Sequence, residues 1–499
     1  MRENLFEKVT SLALRRGIFH PTAEIYRGSA GFYDLGPLGS LMKMNLINCW
    51  IDEFVKREFS YDVYLIDGSL ILPYSVLKAS GHADKFTDPK TECSSCRRLY
   101  RLDQLIEETR GVRAEGKTLE ELAELSRQLG LKCPHCGGEL EEVIHHSLMF
   151  KLNIGGLEEQ AFLRPETAQN IFIDFKRIVY ATRARIPFAV AQVGKSFRNE
   201  ISPRQSIIRL REFSQMEIEA FIPPDDEKGP EGLADIGDTE IQILTREEQA
   251  RGGADSIRIR ARAAYEERIV PNKYLAYYLA KEVRFFKQLG IPPEKMRFRH
   301  LLPEETPHYS GGNFDLEVEF SFGWKEIVGN AYRRDYDLTV HSRHSGEDLS
   351  IEHDGRKVVP HVVEPSFGVE RIIYAVLEYS YTEGLRDWPV LRLPRAISPI
   401  KAAILPLMDK EDLVNKAQET YRRLRCSRLP IYVVYDSKGS IGRRYARYDE
   451  VGANLCLTID YQTLQDNTVT VRDRDTAEQE RVPIDKLEEN IFRDMHREQ

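Results

Sequence analysis

Phe197-Arg198-Asn199-Glu200, eight residues, Arg209-Leu210-Arg211-Glu212-Phe213, three residues, Glu217: the reading of this stretch decides the fold. It reads as two antiparallel strands joined by a basic loop. A strand alternates its side chains, so Arg209, Arg211, Phe213 and Glu217 fall on one side of the second strand. That face offers guanidinium groups for phosphates, an aromatic ring for stacking and carboxylates for an amine. Arginine suits phosphate because its planar fork donates two parallel hydrogen bonds. The plainer alternative is an ordinary strand pair with an exposed charged face.

A second element lies far downstream. Glu364-Pro365-Ser366-Phe367-Gly368-Val369-Glu370-Arg371 opens an apolar helix running from Glu364, or just after it, towards Tyr381. Gly368 permits close backbone approach. Arg371 falls in the first turn, where a cation opposes the helix dipole. It is placed there for a ligand, or it is paired with a nearby acid.

Outward from these two elements, short strands are expected around Phe162 and over 188–193, 209–221 and 314–320, with helices scattered between them. This pattern predicts an α+β fold built on a large antiparallel sheet. Upstream, Leu38, Leu41, Met42, Leu46, Trp50, Phe54 and Val55 recur at helical spacing. Gly36 and Pro37 punctuate the start of that helix. A strand at 61–66 follows. Two segments read as insertions, 88–147 and 223–303, the second opening with a Gly-, Pro- and acid-rich run. From about residue 396 to the end, strand and helix alternate as a separate α/β domain, leaving 1–395 as the main body.

Two CxxC pairs, Cys93/Cys96 and Cys133/Cys136, lie in the first insertion and match a tetrahedral Cys₄ zinc site. The alternative is a reduced, metal-free insertion. Cys49, Cys426 and Cys456 read as ordinary buried or partly buried thiols, and the histidines (His145, His146, His300, His308, His341, His344) as structural or surface residues. Seven cysteines, four of them in ligand pairs, point to a reducing compartment, read as the cytoplasm. No apolar run is long enough to span a bilayer, and Met1 to Thr10 lacks the apolar core of a signal peptide.

The net charge of −8 argues against a uniformly basic nucleic-acid surface. Basic residues cluster nonetheless at Arg198, Arg204, Arg209 and Arg211, at Arg284, Lys287, Lys295, Arg297 and Arg299, and at Arg422, Arg423, Arg425, Arg428, Arg443, Arg444 and Arg447. Three local patches fit a folded RNA touching the protein in several places. The bland alternative is solvated helix faces.

The Phe-Arg-x-Glu…Arg-x-x-x-Phe-x-x-x-Glu pattern resembles motif 2 of class II aminoacyl-tRNA synthetases. Gly368-Val369-Glu370-Arg371 with its apolar helix resembles motif 3, and the helix from Leu38, the strand from Tyr61 and Pro73 resemble motif 1. Further strings are similar to homodimeric glycyl-tRNA synthetases: Gly31-Phe32-Tyr33-Asp34-Leu35-Gly36-Pro37-Leu38-Gly39, Ser80-Gly81-His82, Leu163-Arg164-Pro165-Glu166-Thr167-Ala168-Gln169 and Ile201-Ser202-Pro203-Arg204. The resemblance covers nearly the whole chain.

It implies activation of glycine with ATP and transfer of the glycyl group to its tRNA. Arg198 and Arg371 would be catalytic. The ATP site would comprise Arg198, Asn199, Glu200, Ile208, Arg209, Leu210, Arg211, Phe213, Glu326, Ile327, Gly368 and Arg371, with Mg²⁺ bridging the phosphates. Phe213 and Arg371 would sandwich the adenine. Glu166, Glu217 and Glu364 would surround the glycine ammonium, Ser366 would close the pocket by volume, and Arg333 and Arg101 would complete it. Motif 1 implies a homodimer. The C-terminal segment resembles the anticodon-binding domain of glycyl, histidyl, prolyl and threonyl synthetases. This chain departs from the family at Asn170 and Ser206, where glycine is usual, and at Arg334, where a smaller residue is. The competing readings are another class II synthetase and a synthetase-like subunit without catalysis. The second typically lacks the arginines kept here at 198, 209 and 371.

Overall fold

A computed structural model describes residues 4–114, 116–155, 160–203, 205–306, 310–429 and 431–497. Arg204 and His308 lie outside the described residues. No described helix is long and apolar enough to cross a membrane.

The body is a nine-stranded sheet. Its strands, in chain order, are β1 (Val63–Ile66), β2 (Phe188–Phe197), β3 (Glu212–Ile222), β4 (Glu240–Leu244), β5 (Ile257–Arg260), β6 (Met296–His300), β7 (Asn313–Phe320), β8 (Gly323–Arg334) and β9 (His361–Gly368). The spatial order is β5-β4-β6-β7-β8-β9-β3-β2-β1. Six central strands, β6 to β2, are antiparallel throughout. The β1/β2 and β4/β6 pairs are parallel.

Alternation along the strands sorts the side chains. In β3, Met216, Ile218 and Ala220 enter the main core, while Phe213, Gln215, Glu217 and Glu219 share the other face. In β9, Val363 and Phe367 enter the same core and leave Glu364, Ser366 and Gly368 on the site face. The expected helical start at Glu364 is thus corrected. The segment to Gly368 is a central strand, and the helix begins at Val369. Pro365 cannot donate to the ladder, and the recorded β3/β9 register is interrupted between Ser366 and Val363.

The core face is covered by α1 (Pro37–Ile51), α2 (Lys273–Gln288) and α3 (Val369–Ser380). Pro37 starts α1 at a position where its missing N–H costs nothing. Gly39, Met42, Leu46 and Trp50 form its buried stripe. Gly39 is required, because a Cβ there would lie 1.9 Å from the carbonyl oxygen of Ile18. A five-residue π turn, Asp52–Lys56, ends the helix and carries Phe54 into the core.

The segment from 223 to 303, expected as an insertion, is woven into this body. It supplies β4, β5 and β6 to the sheet and α2 to the core. The 88–147 segment instead keeps a small core of its own, including Tyr100, Leu105, Ile106 and Leu122. The C-terminal unit is a five-stranded mixed sheet in the order Val433–Tyr435, Ala402–Pro406, Leu455–Ile459, Thr468–Asp473, Gln479–Pro483, with helices Glu411–Arg425 and Ile441–Glu450. Arg395 ties the connecting segment to it through Asp473, Asp475 and Asp494 at 2.6 to 2.8 Å.

Candidate active site

The site face of β3, β8 and β9 floors a cavity of about 480 Å³. Gly329 and Ala331 keep the β8 part of that floor low. Among the expected residues, Arg198, Glu200, Ile208, Arg209, Leu210, Phe213, Glu326, Ile327, Gly368 and Arg371 line one part of it. Glu166, Glu217, Glu364 and Ser366 line the same cavity.

The guanidinium of Arg198 sits 5.4 Å from the ring centroids of both Phe213 and Phe86, and its Nε donates to the carbonyl of Pro165 at 3.2 Å. Arg209 and Glu200 are paired at 2.6 Å, and Arg209 also donates to Gln104 from the cysteine-bearing segment. Arg371 donates to the carbonyls of Ile208 and Glu326 and to the Glu326 carboxylate at 3.1 Å. The unfavourable charge in the first turn of α3 is therefore matched by an acid and two carbonyls. Burial works against ionisation of Glu326, but Arg371, Arg198 and Arg299 outweigh it and hold its carboxyl below the usual range. Asp315, also in the wall, is pushed well above its usual range by burial and by Glu326.

The acids are held individually. Glu166 accepts from Gln169 at 2.9 Å and faces His82 at 3.4 Å. Glu217 accepts from the Thr167 hydroxyl. Glu364 accepts from Arg333 at 2.7 Å. Burial raises the pKa of Glu364 well above the usual carboxylate range, and the neighbouring Glu217 and Glu166 add to this against the pull of Arg333. Burial acts on Glu166 too, but there His82 and Arg333 reverse the direction and hold it low. Two adjacent carboxyls thus sit on opposite sides of the ordinary value. The Ser366 hydroxyl accepts from Gln215 at 3.0 Å.

Four expected residues fall elsewhere. Arg211 precedes β3 and turns away, donating to the carbonyls of Glu200 and Ala30 and lying 6.0 Å from the ring centroid of Phe32. Asn199 is outside the cavity lining, its backbone tied to Leu148 and His146. Arg101 is engaged by Asp88 and Asp103, away from the lining. Arg333 is only 1 % exposed and lies behind the acids, where it bridges Asp337 and Glu364. Conversely, Phe86, Gln215 and Asp315 belong to the lining without an expected role, and so does His82, which the sequence offers within Ser80-Gly81-His82 but with no role assigned. Gln215 was readable from the alternation between Phe213 and Glu217. Asp315 lies on the strand expected over 314–320, whereas no local pattern announces the approach of His82 and Phe86 to the sheet.

The family departures have local accounts. Asn170 is buried, accepting from Arg164 and donating to the carbonyl of Ser69, both at 3.2 Å. Ser206 and Arg334 both adopt positive φ (56° and 53°), a conformation in which glycine carries no Cβ penalty.

The four cysteine sulfurs of the first insertion lie within 4.8 Å of one another, with Cys93–Cys136 at 3.5 Å and Cys96–Cys133 at 3.6 Å. Thiolates about 2.3 Å from a tetrahedral zinc sit about 3.8 Å apart, so the donor set fits the ion. Burial opposes ionisation of Cys133, but donation from the Tyr100 hydroxyl and from backbone N–H groups brings its pKa down to about 6. Cys426 is exposed, correcting its expected burial. Arg444, read as part of a basic surface, is buried and donates through its two Nη atoms to the carbonyls of Pro406, Asp436 and Leu407. Arg297, Arg299 and Lys295 are paired with Glu317, Glu305 and Glu319, which favours the solvated-face reading for that cluster.

A glycine–tRNA ligase from Methanocaldococcus jannaschii is 41 % identical over 98 % of this chain and 98 % of its own length. The chain belongs to the glycine–tRNA ligase family. Glycine–tRNA ligases from Aeropyrum pernix (40 % identical, covering 99 % and 97 % of the two chains) and Pyrococcus furiosus (39 %, 99 % and 100 %) are similar throughout as well. A family model described as an anticodon binding domain matches residues 401–493. In fold, the chain is similar to a prolyl-tRNA synthetase from Cryptosporidium parvum, with a TM-score of 0.57 at 14 % identity over 98 % of this chain and 77 % of that one. It is a class II synthetase with an α+β body and a C-terminal anticodon-binding domain.

Proposed function

We propose that this glycine–tRNA ligase forms and transfers its glycyl-adenylate in the cavity floored by β3, β8 and β9. The observation that carries the assignment is convergence: Arg198, Phe213 and Arg371, distant in sequence, line one continuous cavity with Glu166, Glu217 and Glu364.

In the first step a glycine carboxylate oxygen attacks the α-phosphorus of ATP and pyrophosphate departs. Arg198, held by Pro165, places its guanidinium where negative charge grows on the α-phosphate. Such preorganised donors act on the transition state without reorganising. Arg209 and Arg371 face the outer phosphates. Phe213 offers one stacking surface to adenine and Arg371 the other. Glu200 accepts from the adenine amino group. In the second step a terminal ribose hydroxyl of the tRNA attacks the adenylate carbonyl and AMP leaves. Mg²⁺ would be held by Glu326 and Asp315, hard oxygen donors on the wall, and would neutralise phosphate charge. The raised pKa of Asp315 beside Glu326 marks a like-charge pair that a cation relieves.

At the other end, three carboxyls take the ammonium of glycine, and Ser366, pinned by Gln215, limits the space beside its α-carbon. A methyl group normally discriminates by only about 1–3 kcal/mol. A rigid, buried wall does better because overpacking is penalised. The Cys₄ cluster holds a structural zinc, and the seven unbridged thiols support a cytoplasmic setting. Exposed Met44, Phe59 and Leu65, around the α1 and β1 region, support a homodimer through that face. Exposed Arg422, Arg423, Arg425 and Arg443 support tRNA contact by the C-terminal domain.

The test is amino-acid-dependent exchange of pyrophosphate into ATP across the standard amino acids. Glycine alone supports exchange under this reading. Exchange driven equally by alanine or serine overturns the pocket assignment.

A further inference from the structure

Glu219 lies two residues beyond Glu217 on the same face of β3, with its side chain fully enclosed. Neither of its carboxyl oxygens accepts a hydrogen bond from any of the described residues. Carboxyl oxygens of Glu217, Glu219 and Glu364 lie within 4.8 Å of one another. Glu219 does not reach the cavity surface; it stands behind the two acids that do.

The charged groups acting on it are Glu364 on β9, Arg333 near the end of β8, Glu217 on its own strand and Asp337 just beyond β8. Arg333, the one cation among them, is already bonded to Glu364 and Asp337. A buried carboxylate with no donor of its own, beside two others, is not sustainable as an anion. Burial and Glu364 push its pKa well above the ordinary carboxylate value.

We propose that Glu219 is a positioning residue of the amino-acid pocket: an un-ionised carboxylic acid that shares its proton with Glu217 or Glu364 and so fixes them for the substrate ammonium. The proton lets the buried layer behind the pocket do this without adding a further negative charge. The inference rests on the reading of Glu166, Glu217 and Glu364 as the ammonium cage, and the experiment separates the two.

Glu219→Gln keeps size and a donor, whereas Glu219→Leu keeps only the bulk. With the full-length enzyme at neutral pH, Gln leaves the glycine KM within about threefold of wild type. Leu raises it by tenfold or more, corresponding to roughly 1.4 kcal/mol or more, with the ATP KM unchanged. Equal loss in Gln and Leu overturns the proposal in favour of an anionic role. An unchanged glycine KM in Leu, with only melting temperature altered, reduces Glu219 to a structural residue and overturns it too. If Leu does not fold, the infrared difference spectrum decides: wild type at neutral pH shows the carbonyl stretch of an un-ionised carboxylic acid that Glu219→Gln lacks, and its absence from wild type overturns the idea. Glu364→Gln is the control. If it leaves the glycine KM unchanged, the cage reading fails; if it raises the KM while Glu219→Leu does not, only the present proposal fails.

Discussion

Replacing Arg333 with methionine removes the one cation among the described residues that hydrogen-bonds to Asp337 and Glu364 together. Arg333 donates to Asp337 at 2.7 and 2.9 Å and to Glu364 at 2.7 Å, with Glu166 at 3.8 Å, and all of these groups are buried. Breaking a buried pair by removing one partner costs roughly 3–5 kcal/mol, because the other charge stays behind uncompensated. At about 2.1 cal/mol/K of unfolding entropy per residue, a body of about 400 residues then melts roughly 4–6 °C lower. The loss has a pH signature. Without the guanidinium, Glu364 loses the pull that lowers its pKa and takes up a proton more readily, so the deficit shrinks as pH falls. Glu364 also loses its anchor at the cavity wall, so the glycine KM rises. Calorimetric melts between neutral and mildly acidic pH, alongside glycine kinetics, measure both effects. A melting shift below about 1 °C with unchanged glycine KM would refute the account of Arg333 as the support of the cage.

Glu282 is fully buried, with its pKa raised by burial to about 8 although Asn330 donates to it at 3.1 Å. Its protonated form stabilises the fold fully below the unfolded value of 4.5, and that contribution is lost as pH rises towards 8. Glu282→Gln is therefore more stable than wild type by about 3 kcal/mol near pH 7 and equal to it near pH 4. A stability difference that does not change with pH contradicts this. Arg371→Ala frees Glu326 and the Ile208 segment. Loss of a charged contact worth about 1.5–3 kcal/mol lowers kcat/KM for ATP by roughly 10- to 100-fold, and steady-state kinetics in ATP read it. Purified protein carries one zinc per chain under this account. Cys133→Ser loses it and loosens the 88–147 segment to proteolysis, whereas a zinc-free parent with the same protease resistance as the variant ends the metal assignment.

Much of this architecture was legible in the chain. The alternation from Phe213 to Glu217 and the CxxC pairs carry their chemistry in their spacing. Other features were hidden for identifiable reasons. Glu364 to Gly368 reads as the opening of the helix that follows it, because Pro365 suits a first helical turn and only the sheet on both sides settles it as strand. Arg211 shares the parity of Phe213 but precedes the strand, so alternation does not govern it. Segment 223–303 opens with loop-like composition, yet α2 within it is buried around its whole circumference, including Lys281 and Glu282. Alternation alone does not distinguish Glu217 from Glu219, which share one face of β3. Only the depth of the strand places one at the cavity and the other behind it.

Glycine-dependent exchange of pyrophosphate into ATP by Arg198→Ala tests the central claim most directly. If this guanidinium stabilises the α-phosphate, exchange falls by about 100-fold or more while the melting temperature stays at the wild-type value. Exchange near the wild-type rate in the folded variant would contradict the account.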